Sequence, residues 1–69
     1  MKTNSYLKSI ALCQKQAAFN TDAALHNLQN ALRCGRGSWE GESYLAHAIL
    51  FQRKAAAYAA DARRLLGVE

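Results

Sequence analysis

Cys34-Gly35-Arg36-Gly37-Ser38 is the break around which the rest of the 69-residue chain is organised. Two glycines within three positions supply a left-handed stop for one helix and a short loop before the next. Ser38 or Gly37 is placed to cap the segment that follows, and Glu40 and Glu42 bring negative charge to its first turn. Little on either side interrupts a helix. There is no proline, glycine occurs only four times, and Ala, Leu, Gln, Lys and Arg dominate. Arg63 and Arg64 fall in the last turn of the second segment, with Gly67 as its stop. The first segment starts at Thr3, Asn4 or Ser5, each able to cap a helix, and carries Arg33 near its end.

The expected fold is all-α, a single domain over residues 1–69 with a helix at about 4–34, a loop at 35–38 and a helix at about 39–66. Each rod is ~42–45 Å long at the α-helical rise, and matched lengths joined by a short loop make an antiparallel helical hairpin. Apolar spacing agrees. Leu7, Ile10, Ala11, Ala17, Ala18, Ala24, Leu25, Leu28, Ala31 and Leu32 recur at three- and four-residue intervals, interrupted by Gln14 and Thr21. The second stripe takes in Gly41, Tyr44, Leu45, Ala48, Phe51, Ala55, Tyr58, Ala59, Ala62, Leu65 and Leu66, broken by Gln52. Small residues repeat every seven positions, at Ala17, Ala24 and Ala31 and at Gly41, Ala48, Ala55 and Ala62. An Ala-rich, coiled-coil-like seam follows, built on Ala17, Ala24, Leu28, Ala48, Phe51, Ala55, Tyr58 and Ala62, with a close helix approach and a left-handed supercoil.

Hydrophobic residues are 51% of the chain, but fourteen of them are alanines, so the core is thin. A chain of this size buries only roughly 60% of its unfolded surface on its own. Leu12 and Phe19 lie seven apart on the far side of the first helix, and Ile49 and Leu50 widen the apolar surface of the second. These four form the expected oligomer interface, most simply of a homodimeric four-helix bundle; the alternative is that Leu12 and Phe19 are scattered surface residues.

Catalysis has few candidates. Cys13 and Cys34 are three heptads apart, ~31 Å along a helix, too far for an intrachain disulfide. His26 and His47 reach similar heights in a hairpin but face away from the seam, and the spacing Cys13, His26, Cys34, His47 fits no zinc pattern. Glu40 and Glu42 are two apart and diverge, and Gly35-Arg36-Gly37 is followed by Ser38-Trp39 rather than by a phosphate-loop Lys-Ser/Thr. We expect no enzyme, no cofactor and no metal. Two cysteines without a secretory leader read as reduced thiols, and the longest apolar-looking run, Tyr44 to Phe51, falls well short of the ~20 residues of a membrane span. The expected location is cytoplasmic, away from the membrane.

The net charge of +4 and pI near 9.4 permit a nucleic-acid partner. Arg63 and Arg64 fold back beside Lys2 and Lys8, while Arg33 and Arg36 are balanced by Glu40 and Glu42 at the loop end. Residues 16–32 carry one charge, Asp22, so no basic stripe follows the rod. Lys8, Lys15, Arg53, Lys54, Arg63 and Arg64 are the candidate contacts of an RNA- or DNA-binding bundle. Trp39 either packs over the hairpin end on Leu32, the expected role, or anchors a partner protein, and the amide-rich surface of the first helix, with Gln16, Asn20, Asn27, Gln29 and Asn30, is the better candidate for a partner groove.

Over its whole length the chain resembles the small helical-hairpin accessory proteins of temperate, lambdoid-type phages and prophages. That resemblance implies an early accessory protein that binds a host or phage protein and modulates host or phage development. The architecture is also similar to RNA-binding helical-hairpin dimers of the plasmid repressor-of-primer type, with no shared motif. The expected function is a non-enzymatic interaction or regulatory protein, and the competing one a nucleic-acid-binding regulator.

Overall fold

Helix-forming sequence runs unbroken on both sides of the glycine pair, and two helices result. The computed structural model describes residues 2–35 and 37–67, with side chains from Ser5 onward: α1 spans Lys2–Cys34 and α2 spans Trp39–Leu66. They form an all-α hairpin of 52 × 19 × 12 Å. Because α1 begins at Lys2, the expected caps Thr3, Asn4 and Ser5 lie inside the helix rather than ahead of it. Arg36 and the side chain of Lys2, assigned to the two charged ends, lie outside the described residues.

The turn works through backbone that only glycine adopts without strain. Gly35 has φ 90° and Gly37 φ 88°. Ser38 then caps α2: its Oγ accepts from the Gly41 N–H at 3.0 Å and donates to the Gly35 carbonyl at 2.9 Å. At the other end Gly67 takes the left-handed conformation at φ 78° and its N–H bonds the carbonyls of Arg63 and Arg64.

Helix spacing is set at Gly41, which lies against the backbone of α1. A Cβ there would run into the Gly35 carbonyl oxygen and would stand 3.3 Å from that of Ala31. Seven-residue steps in opposite directions from Ala31 and Gly41 match Ala24 with Ala48, Ala17 with Ala55 and Ile10 with Ala62. Gly41, Ala48, Ala55 and Ala62 are buried along α2, as are Ile10 and Ala31 along α1, with Ala17 and Ala24 half-buried between them. Phe51 and Tyr58 flank this seam half-buried, as expected.

The centre of the α1 face is rotated from the expected stripe. Leu28, assigned to the seam, is 41% exposed, and Leu7, Leu25 and Leu32 are exposed with it. The seam side of α1 instead includes Cys13, Asn20 and Asn27, with Asn20 only 5% exposed. Where alanine meets glycine or alanine, the backbones come too close for leucine between them, so the leucines move to the edge. The asparagines are tolerated inside because each bonds its own helix: Asn20 Nδ2 donates to the Gln16 carbonyl and Asn27 Nδ2 to that of Ala23, both at 2.8 Å.

Candidate functional site

Two helices side by side have two broad faces, one on each side of the seam, and the sequence gives these faces different chemistry. On the first, α1 contributes Ala17, Thr21, Ala24, Leu25 and Leu28, and α2 contributes Leu45, Ile49, Gln52, Ala56 and Ala59. They line an open groove of about 560 Å³ over the central alanines. Leu32 and Glu42 continue it toward the loop, again with Leu28 and Leu45. This face is aliphatic, and Thr21 Oγ1 is engaged with the Ala17 carbonyl at 2.8 Å.

The opposite face is aromatic and charged. Gln16, Phe19 and Asn20 of α1 meet Phe51, Lys54, Ala57, Tyr58 and Asp61 of α2 around a second groove of about 540 Å³. Lys54 Nζ stands 5.7 Å from the centre of the Phe51 ring, a cation–π distance.

The expected oligomer interface is thereby divided. Phe19, 64% exposed, lies in the aromatic groove, whereas Ile49, 44% exposed, lies in the aliphatic one. Leu12 and Leu50 are exposed outside both. Of the amide-rich surface of α1, Asn20 is buried and Gln16, Asn27 and Asn30 are half-buried, with Gln16 and Asn20 at the edge of the aromatic groove and Gln29 in water. Trp39 does not pack over the hairpin end: it is 77% exposed, and Leu32 is exposed too.

All six candidate nucleic-acid contacts are exposed, yet they point in several directions. Lys8 and Lys15 share one stripe of α1 seven residues apart, Lys54 sits on the aromatic face, and Arg63 shares the heptad stripe of Ile49. Arg64 forms an ion pair with Asp61 at 3.4 Å, with both side chains largely solvated. His26 and His47 are exposed, and His47 Nδ1 donates to the Ser43 carbonyl at 2.8 Å. Cys13 and Cys34 are free thiols, the first half-buried and the second exposed. Among the described residues no three His, Cys, Asp or Glu side chains converge, and no helix is long and apolar enough to cross a membrane.

Reading apolar spacing alone missed the aliphatic groove as a surface, because it assigned Leu25, Leu28 and Leu45 to the interior. The available signal was the stripe Glu42, Ile49, Ala56, Arg63, a heptad series adjoining the buried one. No family model, curated protein or solved structure matches this chain.

Proposed function

We propose that this chain is a non-enzymatic interaction protein that acts through protein–protein contacts, with a second copy of itself as one partner and a host or phage protein as another. The observation that carries this reading is the placement of its large apolar groups. Leu12, Phe19, Leu25, Leu28, Ile49 and Leu50 are all exposed, while among the described residues no large side chain is fully buried. The accessible surface is 5469 Å², against roughly 4,300 Å² for a globular monomer of this mass. A hairpin with so much apolar surface in water gains stability when a partner covers it. The partner's being a host or phage protein, and the regulatory role in phage development, rest on the resemblance described above.

The test is the solution mass of the wild-type chain by light scattering over a range of concentrations, with helical content followed alongside. A mass above the 7.6 kDa of one chain is the expected wild-type result. A stable, helical wild-type monomer would overturn self-association. A salt-sensitive complex with duplex RNA or DNA, lost on Arg63→Ala/Arg64→Ala, would put the nucleic-acid reading in place of this one.

A further inference from the structure

Opposite charges close the two ends of the aliphatic face. Along α2 this face carries the heptad series Glu42, Ile49, Ala56, Arg63, so its loop end is negative and its open end positive. The α1 positions on the same face, from Leu7 to Leu32, carry no charge. Bulk is distributed unevenly as well. Leu28, Leu45 and Ile49 stand in the loop half, while Ala56 and Ala59 leave the other half of the groove shallow.

We propose that this aliphatic face, and not the aromatic one, receives a second copy of the chain in an antiparallel twofold arrangement that sets Glu42 of each copy beside Arg63 of the other. The proposal rests on the reading that the chain self-associates, and specifies the surface and register. Glu42 and Arg63 are equidistant from a point beside Gln52, so a twofold axis there, perpendicular to the helices, forms both ion pairs at once. The same axis lays Ile49 over Ala56 of the second copy, large on small, and brings the two Gln52 amides together, which are self-complementary as donor and acceptor. A parallel dimer would instead gather Glu42 of both copies at one end and Arg63 of both at the other, and like charges at an interface select against it. The broad face of a 52 × 19 Å body is about 1,000 Å², enough for the ~800 Å² per partner of a standard interface. The aromatic face is less suited, because Lys54 and Asp61 stand within its groove, where interface cores are depleted of charge.

Charge reversal tests the register. Glu42→Arg and Arg63→Glu are each expected to weaken self-association about tenfold at low salt, with the effect shrinking as salt rises. Mixed in equal amounts they are expected to recover wild-type affinity as a heterodimer, since both pairs are restored between unlike copies. Singles that associate as tightly as wild type, or a mixture no tighter than either component, would overturn the register. Both substitutions lie in terminal turns, so a second comparison uses mid-helix positions. Ile49→Glu is expected to give monomers by light scattering, whereas Phe19→Glu keeps the wild-type mass. The reverse pattern would sink the assignment of the face and leave self-association standing; a wild type that is monomeric at every concentration would remove both.

Discussion

Gly41 is where one missing atom sets the distance between two helices. An alanine usually stabilises a helix relative to glycine by about 1 kcal/mol, but here its Cβ would meet the Gly35 carbonyl oxygen and stand 2.8 Å from Ser38 Oγ. The carbonyl belongs to the turn backbone and has little freedom to withdraw. Gly41→Ala is therefore expected to lower stability by about 1–3 kcal/mol, the usual range for overpacking, as read by urea denaturation; a gain would show that the helices part freely at the loop end. This position was legible in the sequence, because small residues at Gly41, Ala48, Ala55 and Ala62 can hold a heptad only by facing another helix closely. Asn20 was not. Its donor is satisfied by the Gln16 carbonyl one turn back, and composition counts it as polar surface without registering that bond. The leucines of α1 were misplaced for a related reason: whether a large residue stands at the centre or edge of a stripe depends on the interaxial distance, which apolar spacing does not contain.

At the scale of the elements, the ends were easier to read than the faces, since capping chemistry is local. Ser38 has φ −76° and ψ 149°, the extended geometry of an N-cap, and Glu40 and Glu42 follow it in the first turn of α2. The opposite end carries Arg63 and Arg64 ahead of Gly67, while α1 has no acid in its first turn and Arg33 in its last. Ser38 does more than cap, because its hydroxyl also donates to Gly35 at the end of α1. Ser38→Ala is expected to cost about 1–2 kcal/mol, the upper part of the range for a lost cap. Ser38→Asp restores the acceptor for the Gly41 N–H but supplies no donor to Gly35, so it is expected to recover part of the loss. Thermal unfolding of the three proteins at one concentration checks the order, and equal midpoints for Ser38→Ala and wild type would show that the cap contributes nothing. Matched helices, one turn and an antiparallel hairpin were all present in the sequence for the same local reasons. The two-sided surface was not, because it arises only when both helices are set side by side.

For the whole molecule the decisive quantity is how two copies are oriented, and the chain carries its own reporter of it. Cys34 is exposed at the loop end of α1, and Cys13 is half-buried. The proposed axis passes beside Gln52 of α2. The hairpin register that matches Ala17 with Ala55 and Ala24 with Ala48 sets that level beside Asn20 of α1. From there to Cys34 is about fourteen residues, ~21 Å at the helical rise. An antiparallel pair therefore places its two Cys34 residues ~42 Å apart along the rod, at opposite ends of the bundle. A parallel pair, with both loops together, would bring them within about 20 Å. Spin labels on Cys34 in a Cys13→Ser background distinguish these separations by dipolar spectroscopy, even allowing for the label arms. The long distance is the expected result, and it is expected to vanish on dilution below the dissociation constant, because it belongs to the pair and not to the chain. A short distance would mean that apolar burial outweighs the repulsion between like ends. The charges at Glu42 and Arg63 would then not be what orients the two copies.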